Sequence, residues 1–207
     1  MASPTDGSHY FDAQPGVASQ PRTTQLVLPD LRLSLTTDRG VFGGDHVDPG
    51  TKLLLLEGPE PVPGDRDLVD VGAGYGPIAC ALALRNPEAT VWAVEVNERA
   101  RDLCGANAEQ AGLANVRVVA PDELPDHLRV DRIWSNPPIR IGKGALHRLL
   151  SEHLARLGPG GSAHLVVHKH LGADSLQRWL VEQGFRTDRR GSRRGYRLLD
   201  VRQGDRG

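Results

Sequence analysis

DLVDVGAGYGP, Asp67 to Pro77, is the stretch from which the rest of the chain can be read. Its first half is a continuous apolar run, the pattern of a strand buried on both faces. Its second half turns on Gly72, Gly74 and Gly76 and passes directly into PIACALALR, an apolar helix pattern. Strand, glycine turn and helix in that order open a unit of a doubly wound sheet, and ligands bind at the C-terminal edge of such sheets.

The same rhythm continues downstream. TVWAVEV reads as a strand, and NERARDLCGANAEQAGL as a helix with Asn97 as N-cap and Gly112 near its end. VRVVA and VDRIWSN read as two further strands. KGALHRLLSEHLARL reads as a helix with Leu146, Leu149, Leu150, Leu154 and Leu157 on one face, stopped by GPGG. SAHLVVHK is a strand, ADSLQRWLVEQ a helix, and FRTDRR and GYRLLDVR are strands joined by a GSRRG turn. The first six strands are separated by crossovers, mostly helical, which makes them parallel. The short last turn makes the seventh antiparallel. The expected fold class is therefore α/β: a doubly wound, mostly parallel, seven-stranded Rossmann-like sheet with an antiparallel last strand, spanning residues 67–203.

Upstream, residues 21–66 hold a small N-terminal β element. Alternating Leu31, Leu33 and Leu35 suggest two short strands joined at Pro29-Asp30, followed by a short helix from Thr51 to Glu57. Residues 1–20 are rich in Ser, Pro, Gly and Asp and read as a flexible segment.

The 207 residues suffice for one sizeable core, and 39% hydrophobic with 25% charged residues is ordinary for a soluble domain. A net charge of -1 excludes a protein that coats nucleic acid through global charge, but allows a local basic patch. Cys80 and Cys104 both fall in helix patterns and read as buried, reduced thiols. His168 and His170 alternate at a strand end with no third ligand in view, so no metal site is expected. With no secretory signal pattern at the N-terminus and no apolar run of spanning length, a cytoplasmic protein without membrane contact is expected.

Two stretches carry chemistry. The glycine spacing after the first strand is G-x-G-x-G, and Pro77 stands where a dinucleotide fingerprint would place its third glycine. Glu95, at the end of the second strand, is placed to accept hydrogen bonds from a ribose diol. Then SNPPI, Ser135 to Ile139, ends the fourth strand. The two prolines fix their own backbone and push the residues before them out of helical geometry, so Asn136 is held in a stiff extended turn.

DVGAGYGP, Glu95 and SNPP together resemble a class I S-adenosylmethionine-dependent methyltransferase. GVFGGDHVDPGTKLLL with SNPPI is similar, more narrowly, to the small-domain ribosomal RNA methyltransferases of the guanine-N2 group. The resemblance runs from about Thr36 to Arg202. It implies that Asp70, Gly72, Ala73, Gly74 and Gly76 wrap the methionine end of S-adenosylmethionine, that Glu95 holds the ribose, and that Asp122 lies near the adenine. Asn136, Phe42 and Thr51 would border the cofactor pocket, although Phe42 suits a core role equally well. Asn136, Pro137, Pro138 and Ile139 would form the catalytic turn, with the Asn136 side-chain carbonyl and the Pro137 carbonyl accepting both hydrogens of an exocyclic amine. Ile139 departs from the Phe or Tyr that many relatives carry there, so aromatic stacking on the base is missing at that position.

FRTDRRGSRRGYR is strongly basic. The sixth strand runs parallel to the fourth, so Arg189, Arg190, Arg193 and Arg194 should overhang the edge that carries Asn136, where Arg140 and Lys143 add charge. The implied partner is RNA, either ribosomal RNA or the small ribosomal subunit, with the enzyme a monomer or homodimer. A protein-glutamine or small-molecule N-methyltransferase, a dinucleotide oxidoreductase and a non-catalytic binding module are the competing readings.

Overall fold

The computed structural model describes residues 17–43 and 46–204. Most of the expected flexible segment 1–20 lies outside the described residues. Strands β1 (Arg22–Val27) and β2 (Arg32–Thr37) pair antiparallel in a two-stranded sheet of their own. Their alternation puts Thr24, Leu26, Leu33, Leu35 and Thr37 into the core and Arg22, Gln25, Arg32 and Ser34 into water. Helix α1 (Pro49–Glu57) follows.

The main sheet contains β3 (Asp67–Val71), β4 (Thr90–Val94), β5 (Val116–Val119), β6 (Val130–Ser135), β7 (Leu157–His168), β8 (Phe185–Arg193) and β9 (Tyr196–Gln203). Helices α2 (Pro77–Arg85), α3 (Glu98–Gln110), α4 (Lys143–Leu154) and α5 (Ala173–Glu182) connect them. The spatial order is β5-β4-β3-β6-β7-β9-β8, with β9 antiparallel to both neighbours and the remaining pairs parallel. The chain winds outward from β3 through β4 to β5, then returns to β6 on the other side of β3. That reversal opens a crevice between the C-terminal ends of β3 and β6.

Each face of the sheet has its own core. Leu68 points to the side of the β1–β2 hairpin, α1, α2 and α3, while Val69 and Val71 point to the side of α4 and α5. Cys80 and Cys104 are free, buried thiols in the first of these cores.

Two of the boundaries that differ from the sequence expectation bear on the main sheet. Helix α4 ends at Leu154, and Leu157 instead begins β7, which runs through Gly158-Pro159-Gly160-Gly161. Those glycines admit a close, irregular pairing with β6: a Cβ on Gly161 would lie 3.1 Å from the Asp131 carbonyl oxygen and 3.2 Å from that of Val130. The GSRRG turn is also tighter than expected. Ser192 and Arg193 belong to β8, and only Arg194 and Gly195 turn, both at positive φ (50° and 85°). Two-residue turns of that kind match the twist of a β-hairpin.

Gly76 opens α2 with φ 91°, and a Cβ there would sit 2.6 Å from the Cys104 sulfur. Replacing Gly76 with Ala should therefore destabilise the fold by roughly 2–4 kcal/mol, from backbone strain plus overpacking. A denaturant midpoint compared with that of wild type checks this.

Candidate active site

A cavity of about 610 Å³ occupies the crevice. Its floor is the turn after β3 and the ends of β4 and β6. One wall comes from the segment before α1, and the other from residues 168–171 with Tyr196.

The turn after β3 is pinned to β4. The Gly72 and Ala73 amides both donate to the Val94 carbonyl, at 2.9 and 3.1 Å. The Gly74 amide donates to Glu95 Oε2 and the Asn97 amide to Glu95 Oε1, each at 2.9 Å. Burial pushes the Glu95 carboxyl upward, against the pull of these backbone donors. Each Glu95 oxygen still has a lone pair to offer, and Glu95 lines the cavity. Gly74 has φ 56°, and a Cβ there would meet nothing within 4 Å. The turn thus leaves open the space that a ligand beside it needs.

Asn136 sits across the crevice. Ser135 Oγ donates to the Val71 carbonyl at 2.6 Å, locking the end of β6 to the end of β3. The Asn136 Nδ2 group donates to Asp48 Oδ1 at 2.7 Å and to Thr51 Oγ1 at 3.0 Å. A carboxylate oxygen can only accept, so the amide nitrogen must face it and the amide carbonyl faces away. The Pro137 carbonyl accepts from the Ile139 amide at 2.8 Å, which fixes its direction and leaves one lone pair. Asn136, Pro137, Pro138 and Ile139 all line the cavity.

The expected cofactor-binding residues divide into two sets. Gly72, Gly74 and Glu95 line the main cavity, while Ala73 and Thr51 border a small neighbouring pocket. Phe42 is 43% exposed and lines the main cavity. Asp70, Gly76 and Asp122 do not line the cavity. Asp70 is fully buried beneath the turn, where Oδ2 accepts from the Ala79 amide at 3.0 Å and Oδ1 has no partner. Burial, with Glu95 adding to it, pushes its carboxyl up to about 8. Gly76 is taken up by the contact with Cys104. Asp122 is exposed in a short 3-10 turn, and its neighbour Pro121 forms the wall instead.

The basic patch is smaller than the sequence suggests. Arg189 pairs with Asp174, Arg190 with Asp200 and Arg193 with Glu57. Arg140, Lys143 and Arg194 are exposed and have no acidic partner among the described residues. Arg140 also lines the cavity.

Sequence reading missed Asp48, Leu171 and Tyr196, and saw His168 and His170 only as possible metal ligands. All five line the cavity. The His168 ring meets Tyr196 edge-on at 4.9 Å. Asp48 had one signal, since an Asp before Pro-Gly-Thr reads as a helix N-cap. The pairing of β7 with β9, which brings Tyr196 opposite His168, had none.

A sheet of this order, with a glycine turn and an acidic strand end facing an Asn-Pro-Pro turn, defines an S-adenosylmethionine-dependent methyltransferase of class I. The chain belongs to the methyltransferase small-domain family, whose model matches residues 32–199. It is 33% identical over 200 residues to the Bacillus subtilis protein YbxB, covering 94% of this chain and 98% of that one. It is 35% identical over 153 residues to ribosomal RNA small subunit methyltransferase C of Shewanella halifaxensis, covering 71% of this chain and 43% of the relative. Among solved structures it resembles the T. thermophilus 16S rRNA N2 G1207 methyltransferase in complex with AdoMet and guanosine. That match has a TM-score of 0.75 and 27% identity, and it covers 91% of this chain and 52% of the other. The chain thus spans about half the length of these two methyltransferases.

The cavity suits the cofactor: Glu95 offers acceptors to a diol, and the open side of Gly74 leaves room beside them. When bound, S-adenosylmethionine presents a methyl group on a sulfonium, and so brings its own leaving group. Replacing Glu95 with Gln turns one acceptor into a donor facing a backbone N–H. The expected result is cofactor binding weakened about 10–100-fold, the loss of a charge-assisted hydrogen bond, measurable by calorimetry.

Proposed function

We propose that this enzyme methylates an exocyclic amine of a base in RNA, and that the acceptor is guanine N2 in small-subunit ribosomal RNA. The observation that carries this reading is the orientation of Asn136. Its NH2 group is occupied by Asp48 and Thr51, so its carbonyl is left to accept a hydrogen from the substrate. The lone pair of an exocyclic amine is delocalised into the base. Two fixed acceptors, Asn136 Oδ1 and the Pro137 carbonyl, can hold both amine hydrogens and aim the lone pair at the methyl group. The prolines hold these acceptors before substrate arrives, so little ordering remains at the moment of reaction. The names of the relatives support ribosomal RNA as the substrate class.

The test is labelled methyl transfer from S-adenosylmethionine to unmodified small- and large-subunit rRNA, assembled subunits and total protein, with products digested and identified by mass spectrometry. N2-methylguanosine in small-subunit RNA is the expected product. Transfer to protein alone, with cofactor binding verified, would overturn the reading.

Arg140, Lys143 and Arg194 are the cations we assign to phosphate contact. Replacing all three with Ala should flatten the salt dependence of RNA binding by roughly 0.7–0.9 in log–log slope per residue. Replacing Arg189 and Arg190, which already have acidic partners, should leave that slope unchanged. Filter binding across a salt series separates the two sets.

A further inference from the structure

The segment DPGT, Asp48 to Thr51, does more than start α1. Asp48 Oδ1 accepts from the Gly50 amide at 2.8 Å and the Thr51 amide at 3.1 Å, which is an ordinary N-cap. The same oxygen also accepts from Asn136 Nδ2, from a residue 88 positions away. Thr51 supplies the second anchor of that amide. Gly50 makes the arrangement possible: a Cβ there would lie 2.9 Å from Asp48 Oδ1 and 2.6 Å from the Tyr196 ring.

A cap alone would not need a charge, since Asn and Ser cap as well as Asp. Yet Asp48 lines the cavity, and no Lys, Arg or His pairs with it among the described residues. Thr51, Asn136, Tyr75 and Tyr196 surround it, none of them cationic. An unpaired carboxylate at the rim of a reaction cavity suits a reaction in which positive charge arrives.

Methyl transfer to an amine is such a reaction. The acceptor nitrogen uses its lone pair to form the new bond to the methyl carbon. The carbon–sulfur bond breaks, and its electron pair stays on sulfur. Positive charge therefore passes from sulfur to nitrogen, until one N–H proton leaves to water.

We propose that Asp48 is the positioning residue for Asn136. It holds the amide with its carbonyl toward the acceptor, and its negative charge, relayed through the amide, strengthens that carbonyl as an acceptor while charge builds on the attacking nitrogen. This inference rests on the reading of Asn136 given under Proposed function.

Asp48→Asn separates charge from cap, because its side-chain oxygen can still accept from the Gly50 and Thr51 amides. The expected result is a kcat about 10–100-fold lower, with KM for RNA and cofactor affinity within about threefold of wild type. Its Tm should stay within about 2 °C, whereas Asp48→Ala should lose both rate and Tm. A kcat for Asp48→Asn within about twofold of wild type would overturn the electrostatic role.

A second measurement needs no acceptor. In 15N-labelled protein, the Asn136 side-chain amide is assigned by its loss in Asn136→Ala, and its hydrogen exchange is followed. Exchange should be slow in wild type and faster in Asp48→Ala. Equal exchange in the two proteins would show that Asp48 does not hold the amide. If wild type methylates no RNA, the proposed function falls, and the amide exchange still decides whether Asp48 holds Asn136.

Discussion

Replacing Asn136 with Ala should lower methyl transfer by roughly 10²–10³-fold, the effect of removing one preorganised polar group from a reaction centre. Cofactor affinity should barely change. Asn136 shares the cavity with Glu95, but its side-chain amide bonds to Asp48 and Thr51 and not to the turn that Glu95 braces. Stability should change little, because Asn136 is only partly buried and its partners Asp48 and Thr51 keep their places in α1. Single-turnover transfer, with calorimetry of cofactor binding on the same preparation, separates rate from affinity. Undiminished transfer would rule out Asn136 as the group that aims the amine. Asn136→Asp is the sharper companion. It keeps an acceptor oxygen but sets a second carboxylate against Asp48, so the loss of rate should ease as pH falls and the pair takes up a proton.

The second large effect concerns stability. His153 lies on the buried face of α4, and neither ring nitrogen has a hydrogen-bond partner among the described residues. Burial, with nearby Arg156 adding to it, pushes the imidazole down from its ordinary 6.5 to about 4. The folded state therefore tolerates only the neutral ring, whereas the unfolded chain takes up a proton below 6.5. Stability supplied by this residue is complete above pH 6.5 and is lost as pH falls toward 4. At about 1.4 kcal/mol per pH unit the loss sums to roughly 3 kcal/mol, a large share of a typical domain's stability. Asp70 works in the opposite sense. Its raised carboxyl makes the fold more stable as pH falls through about 8 toward the ordinary carboxylate range. The His153 contribution is therefore read as a difference between wild type and His153→Leu. Denaturant unfolding from pH 7 to pH 4 should show the variant gaining on wild type below 6.5. A difference that does not vary with pH would mean that His153 is not held neutral.

Much of this architecture could be read from local pattern. The apolar run of β3, the glycine turn and the helix after it are consecutive residues, and their periodicity and punctuation carry the physics. The antiparallel last strand followed from the shortness of one turn. Boundaries were less legible where local and tertiary preferences compete. The Gly-Pro-Gly-Gly run after α4 reads as a helix stop, yet it lies within β7 as an irregularity between the Val130–Leu157 and Arg132–Ser162 pairs, where the ladder to β6 shifts register. The basic run at the C-terminus reads as a free cationic patch. In the fold, Asp174 from α5, Asp200 from the facing strand β9 and Glu57 from α1 pair with four of its arginines, Arg189, Arg190, Arg193 and Arg197.

The sequence by itself determined the order of strands and helices along the chain, the glycine turn at the end of β3 and the stiffness of the Asn-Pro-Pro corner. Each of these depends on residues adjacent in the chain. Only the tertiary structure decided which way the Asn136 amide faces, that Asp48 and Thr51 hold it there, and that Tyr196 closes the cavity beside His168. Those outcomes rest on hydrogen bonds and contacts between segments tens of residues apart. No local pattern encodes them, because the groups meet only after the sheet has brought its strand ends to one edge.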